Sequence, residues 1–279
     1  MGPLDGKVAV VSGSGRGIGR EIALKLAAQG ARVVVNDLDA VPATETVSAI
    51  ETAGGTAVAC VGSVTDADFG ERFVQTAVDS FGGLDIIVNN AGYTWDSVIQ
   101  KMTDDQWDAI LDVHLKAPFR ILRAAQPVIS AQAKREATHG GASCRKVVNI
   151  SSLAGLGGNA GQANYAAAKA GVTGLTRTLA KEWGRYNVTV NTVAFGLIRT
   201  RLTEAPAGAD ASIDIQGNRI KVGVNADLLS AMERMIPLGR ARHAGRSGRS
   251  GLPVLRTRVG LRQRPDPGVR RRIHHVRSR

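Results

Sequence analysis

Tyr165 and Lys169 stand four residues apart in the run Asn164–Lys169, and Ser152 lies thirteen positions before the tyrosine. Three alanines separate the pair. They are good helix formers, so tyrosine and lysine share one helical face about a turn apart. An unperturbed phenol has a pKa of about 10 and is a poor base near neutrality. An ammonium held close favours the phenolate and lowers that pKa, which makes the tyrosine a workable proton donor and acceptor. A serine hydroxyl nearby can hold the oxygen of a carbonyl or alcohol. An ordinary solvent-facing helix also carries such a pair, so the elements around it decide.

The chain opens with the apolar run Lys7–Val11, which leads into Ser12-Gly13-Ser14-Gly15-Arg16-Gly17-Ile18-Gly19. Ile22, Leu24, Leu26 and Ala27 then continue in a helical pattern to Gly30, and Ala31–Asp37 reads as a second buried strand. Strand, glycine loop, helix and strand make a βαβ unit with a parallel sheet. Gly13, Gly17 and Gly19 let backbone approach a pyrophosphate at a helix N-terminus, where the dipole favours an anion, and this points to a dinucleotide. Asp37 ends the second strand, where a carboxylate accepts both ribose hydroxyls of NAD and repels the 2′-phosphate of NADP. Arg16 pulls the other way by favouring a phosphate, and Asp37 is also at home in a turn. The balance selects NAD, with NADP possible.

Further along, the pattern predicts a helix around Ala43–Ala53, a strand at Thr56–Val61 and a helix from about Ala67 to Phe81. A fourth strand runs from Leu84 into Asn89-Asn90-Ala91-Gly92, whose small and amide side chains leave room for a flat ring and hydrogen-bond backbone or ribose. Asp104–Gln126 is helical in character but interrupted by Pro118, and Ser130–Lys146 reads as a helix end and an exposed loop. A fifth strand, Val147–Ile150, delivers Ser151 and Ser152. The Tyr/Lys helix follows to about Gly184, and then a sixth strand, Val188–Val193. Gly13, Asn90, Ser152, Tyr165 and Gly196 all fall at carboxyl ends of strands or just beyond, where doubly wound sheets bind ligands. The expected fold is α/β: a single-domain, Rossmann-like, doubly wound parallel sheet in three layers, spanning residues 1–240.

Size and charge limit the remaining possibilities. A chain of 279 residues with 43% hydrophobic content can bury a full core. It has no apolar run of membrane-spanning length and no signal-peptide layout at its start, so the expected location is cytoplasmic, with no membrane partner. Cys60 and Cys144 show no metal-ligand spacing, and no metal is expected. The net charge of +12 is concentrated in residues 241–279, which hold 12 Arg, no Lys and the single acid Asp266. The remainder is close to neutral, so the body of the protein gives no reason to expect a nucleic-acid partner.

Taken in order, Ser12-Gly13-x-x-x-Gly17-Ile18-Gly19, Asn89-Asn90-Ala91-Gly92, Ser152 and Tyr165-x-x-x-Lys169 resemble the short-chain dehydrogenase/reductase family over roughly residues 5–240. Within it, the run Gly161–Gly171 is similar to bacterial 3-oxoacyl-acyl-carrier-protein reductases. The resemblance implies an NAD(P)-dependent oxidoreductase acting on a secondary alcohol or ketone, most simply a 3-oxoacyl or 3-hydroxyacyl thioester. A catalytically silent NAD-binding structural or regulatory protein is the alternative. By position, Tyr165 would be the general acid/base, Lys169 would bind the nicotinamide ribose and tune the phenol, and Ser152 would hold the substrate oxygen. His114 stands where the family generally has an asparagine of a proton relay; it can hold water or backbone, or merely bond locally. The implied cofactor contacts are Gly13, Arg16, Gly17, Ile18, Gly19, Asp37, Ser63, Val64, Asn90, Ala91, Gly92, Tyr165, Lys169, Gly196, Ile198 and Thr200. Ser63 replaces the aspartate that usually meets the adenine amine, which weakens that contact. Phe195-Gly196 replaces Pro-Gly, leaving the loop less rigid. Arg201–Leu229 is longer than in compact reductases and reads as a mobile substrate lid.

Members of the family continue past Arg240 with one more helix and strand. Here the text turns into an Arg-, Gly- and Ser-rich tail. Reading its codons one base later admits a stretch similar to the family's C-terminal helix and strand. The expectation is that residues from about 241 are out of frame and disordered. Losing that helix and strand would weaken assembly of a dimer or tetramer, the homo-oligomer implied for the in-frame parent, and put the activity of this chain in doubt. Resequencing the codons around Ala241 decides it.

Overall fold

The computed structural model describes residues 2–199 together with 212–215, 218–221, 234 and 242–243. Six runs rich in β-branched residues form the sheet: Val8–Val11 (β1), Arg32–Val35 (β2), Thr56–Ala59 (β3), Ile86–Asn89 (β4), Arg145–Ser152 (β5) and Val188–Phe195 (β6). Their order is β3-β2-β1-β4-β5-β6, and every neighbouring pair is parallel. Parallel neighbours require crossovers, and helices supply them. These are Gly17–Ala27 (α1), Ala40–Thr52 (α2), Phe69–Phe81 (α3), Asp104–Leu111 (α4), Ala117–Thr138 (α5), Ala154–Gly157 (α6) and Ala163–Glu182 (α7). Short pairings lie apart from this sheet: Ile198–Arg199 (β7) with Arg242–His243 (β10), and Ser212–Ile215 (β8) with Asn218–Lys221 (β9).

Alternate side chains of the central strands feed two cores. Val10, Ile87 and Val147 pack with Phe69, Phe73, Ile121, Leu122 and Leu179 on the face covered by α3, α5 and α7. Ala9, Val11, Val88 and Val148 pack with Ile22, Leu26 and Ile50 on the face covered by α1 and α2. This is the three-layer arrangement expected from the sequence. Phe73 has no exposed surface, and its ring centroid lies 5.1 Å from that of Phe69. Phe73→Ala is therefore expected to lower the unfolding free energy by about 3–5 kcal/mol. Urea denaturation checks it: the midpoint should fall with the slope unchanged.

The structure corrects several boundaries. Pro118 does not end the helical path; it lies in the first turn of α5, directly after a helical turn. The break between α4 and α5 is instead a π-helical turn at Asp112–Lys116. Helix α5 ends at Thr138, the helix end expected within Ser130–Lys146, but the expected loop stops short of Arg145, which is buried. Ion pairing explains this, because Glu136 on α5 binds the buried guanidinium of Arg145, whose Nε also lies 4.0 Å from Asp85. Strand β5 accordingly starts at Arg145, two residues earlier than the apolar pattern suggested. Lys7 Nζ reaches Asp85 at 3.3 Å at the same end of the sheet. Thr200, the lid expected over Arg201–Leu229 and the tail from 241 lie outside the described residues, except for the short strands β8, β9 and β10.

Candidate active site

In this strand order β1 and β4 are neighbours whose crossovers depart in opposite directions, which opens a crevice at their carboxyl ends. The glycine loop fills one side of it. Gly13 and Gly17 have φ of 60° and 55°, the left-handed region where a side chain is strained. A Cβ on Gly13 would sit 2.7 Å from Ala91 Cα, and one on Gly19 2.1 Å from the Gly13 carbonyl oxygen. Ser12 Oγ accepts from the Asn90 and Ala91 backbone N–H groups at 3.0 and 3.1 Å. Asn90 Nδ2 donates to the carbonyls of Ser12 and Gly13 at 3.0 and 2.9 Å. Of the two roles open to Asn90, backbone support is the one observed. Asn36 braces the loop from the other side: its Oδ1 accepts from Gly13 N at 3.0 Å, and its Nδ2 donates to the carbonyls of Cys60 and Gly62. Helix α1 begins with no acidic residue in its first turn and no side-chain cap, so its first N–H groups remain open to an anion.

Asp37 is nearly buried at the end of β2 and accepts from Arg16 at 3.0 Å; Arg16 also donates to Asp39 at 2.9 Å. The two residues expected to pull cofactor choice in opposite directions are thus partners of each other. A Cβ on Gly15 would meet the Asp37 carboxylate at 2.5 Å, so the loop rests directly on that acid. Ser63 Oγ is engaged with Thr65 Oγ1 at 2.7 Å, and Val64 is buried in the core, its side chain a packing group.

Across the crevice, Ser152 ends β5 and Tyr165 lies in the first turn of α7; Ser152 Oγ accepts from Ala154 N at 3.2 Å, and its hydroxyl acts to lower the phenol pKa. Lys169, one turn on, is almost fully buried and donates from Nζ to the Ile150 carbonyl at 2.8 Å, 5.6 Å from the centre of the tyrosine ring. Burial pushes its pKa down to about 7. The expected drop in the phenol pKa is not what the structure gives. Burial pushes Tyr165 up, opposed by the Ser152 hydrogen bond and reinforced by the Asp96 charge. The reason is that the lysine, desolvated and turned to a backbone carbonyl, carries a charge that is itself disfavoured.

His114 sits in the π turn with its ring edge-on to Tyr165, centroids 5.0 Å apart. Burial and then the Lys169 charge hold its pKa well below the ordinary value, against the bond to the Tyr93 carbonyl. A neutral imidazole with Nε2 2.6 Å from that carbonyl carries its proton on Nε2. Nδ1 is then an acceptor, buried and unpartnered among the described residues. Gly92 packs on this ring so closely that a Cβ would lie 2.0 Å from Cε1.

Gly196 is exposed just beyond β6, and Ile198 in β7 is buried. Among the described residues, no group of His, Cys, Asp or Glu could hold a metal ion, and no helix is long and apolar enough to cross a membrane.

A family model described as short chain dehydrogenase matches residues 7–209. The chain belongs to the short chain dehydrogenase family. A 3-oxoacyl-[acyl-carrier-protein] reductase of Synechocystis is 42% identical over 205 residues, covering 73% of this chain and 79% of that protein. A hydroxyacyl-CoA dehydrogenase of Mycobacterium tuberculosis is 44% identical over 216 residues, 76% of this chain and 67% of that one. Among solved structures, a dehydrogenase/reductase from Sinorhizobium meliloti superposes with a TM-score of 0.73 at 31% identity, over 90% of this chain and 87% of the other. The protein is thus an oxidoreductase of a family that generally uses NAD(P).

Sequence reasoning missed the short chain dehydrogenase's supporting polar residues. Asn89 Nδ2 donates to Asn149 Oδ1 at 2.7 Å, Asn149 Nδ2 to Thr176 Oγ1 at 2.8 Å, and Thr192 joins Thr176 at 2.7 Å. These bonds tie β4, β5 and β6 to α7. Asn164, fully buried, donates to the carbonyls of Trp95 and Gln106 at 3.2 and 2.9 Å. The available signal was an amide in an otherwise apolar strand or helix face, which is costly to bury unless it is bonded.

Proposed function

We propose that the protein transfers hydride between a nicotinamide cofactor and a secondary alcohol or ketone, with Tyr165 as general acid/base. One observation carries this reading: Ser152 at the end of β5, Tyr165 in the first turn of α7 and the buried Lys169, its Nζ 5.6 Å from the centre of the tyrosine ring, meet at the carboxyl edge of the sheet beside the glycine loop. The residues present fit a dinucleotide. The glycine cradle has no room for side chains, and the start of α1 is uncapped. Gly13, Gly17, Ile18 and Gly19 would take the pyrophosphate. Asp37 would take the adenosine ribose, and Asn90 to Gly92, with Gly196, Ile198 and Thr200, would flank the nicotinamide side. When bound, the cofactor supplies or accepts the hydride.

The protein's own residues manage the substrate oxygen and its proton. Ser152 orients that oxygen by a hydrogen bond, and Tyr165, protonated at rest, donates to it during reduction and accepts from it during oxidation. Lys169, poised near neutrality, exchanges protons with the phenol's surroundings; His114 Nδ1 is a nearby acceptor that can hold a water. The part-buried Asp37 favours NAD over NADP. The relatives named for 3-oxoacyl and hydroxyacyl thioesters support a substrate of that class, and the resemblance supports a homo-oligomer, dimer or tetramer.

Steady-state rates with NADH and with NADPH on acetoacetyl-CoA test the proposal. Turnover with NADH preferred is expected. Cofactor binding without turnover would select the catalytically silent reading instead.

A further inference from the structure

Two loops flank the opening to Ser152 and Tyr165. One follows β4, from Tyr93 to Val98; the other joins α6 to α7, from Gly158 to Gln162. They run side by side, with Ser97 bridging Gln162 in parallel register and Ser97 N donating to the Gly161 carbonyl at 2.9 Å. Across this seam Gln162 Nε2 donates to Asp96 Oδ2 at 2.8 Å, while its Oε1 accepts from Asn159 Nδ2 at 2.9 Å. Gln162 is the residue that opens α7, without capping it, and Tyr165 follows three positions later. The side chain that would ordinarily bond the helix start is committed to the opposite loop.

We propose that Asp96 and Gln162 are positioning residues for the reaction, a clasp that holds the first turn of α7 onto the loop after β4 and so keeps Tyr165 against Ser152. The inference rests on reading Ser152 and Tyr165 as the reacting pair. The clasp also sets the charge around the phenol. The ionisable groups facing Tyr165 are Asp96 from the β4 loop, His114 from the π turn and Lys169 from α7 itself. Of these, Asp96, exposed at the seam and held there by Gln162, opposes the phenolate.

Two substitutions separate the parts. Gln162→Ala cuts the clasp and keeps the charge; kcat should fall about ten- to a hundredfold with NADH binding unchanged, since small misplacements of a reacting group have effects of that size. Asp96→Asn keeps an acceptor for Gln162 and removes the charge. Without that charge the phenolate is easier to form, so the alkaline limb of kcat for reduction should move to lower pH, with Asp96→Glu restoring the parent profile. NADH binding by fluorescence reports that each variant is folded, and the near-isosteric Asp96→Asn keeps the test alive should Gln162→Ala fail to fold. A Gln162→Ala enzyme with parent kcat, or an Asp96→Asn profile superposed on the parent's, overturns the proposal. A Tyr165→Phe enzyme as fast as the parent would instead remove the reading beneath it.

Discussion

Tyr165→Phe is expected to lower kcat/KM about 10²- to 10⁴-fold, the range a positioned proton donor contributes, while NADH binds as before. The variant keeps the ring that packs edge-on to His114 and loses only the phenol hydroxyl. Fold and cofactor site should therefore survive, and the loss should fall on the chemical step. The resting ionisation sharpens the expectation. Burial pushes the phenol up and brings Lys169 down to about 7. At neutral pH the tyrosine is a loaded acid beside a lysine whose charge burial disfavours. Removing the hydroxyl leaves water as the remaining proton source, and water has no fixed position against the substrate oxygen. Single-turnover rates with pre-bound NADH check this, because they isolate chemistry from cofactor exchange. A rate within threefold of the parent would show that the proton comes from elsewhere.

What the sequence revealed and what it hid divide along a physical line. The strands, the glycine loop and the Ser152, Tyr165 and Lys169 set were readable because periodicity and backbone demands leave local marks: an apolar run, glycines where a Cβ cannot go, a four-residue spacing. Gly13 and Gly19 are confirmed in that sense by the contacts a side chain would make. Arg145 and Glu136 were misread because a charged residue in isolation signals solvent, and only its distant partner makes burial tolerable. The π turn that aims His114 left no mark, since Asp112–Lys116 has ordinary helical composition. The phenol pKa was misjudged for a related reason. Spacing places the lysine one turn away, but it does not reveal that the ammonium turns to the Ile150 carbonyl or that both groups are desolvated. Local rules locate the candidate site residues, while long-range partners determine their charge.

The ion pair between Arg16 and Asp37 leads to the other large prediction. Asp37→Ser should shift the ratio of kcat/KM for NAD over NADP about ten- to a hundredfold toward NADP. A hydrogen bond to a charged group contributes about 1.5–3 kcal/mol, and each factor of ten corresponds to about 1.4 kcal/mol. The substitution withdraws the acceptor for the ribose hydroxyls, and it also removes the charge that would repel a 2′-phosphate. A third effect follows from the geometry: Arg16, no longer held at 3.0 Å by Asp37, keeps only the exposed Asp39 as partner. Arg16 is itself 37% exposed, and a surface pair of that kind contributes about 1 kcal/mol or less, so the guanidinium can turn to a phosphate at little cost. Asp37→Ser with Arg16→Ala should therefore lose NAD preference without gaining NADP activity. Initial rates with both cofactors across the four enzymes separate the contributions. If the single variant gains NADP activity and the double variant keeps that gain, repulsion by Asp37 is the whole effect and Arg16 plays no part. If the Asp37→Ser ratio equals the parent's, the carboxylate does not face the ribose, and its role is to support Gly15 and the loop above it.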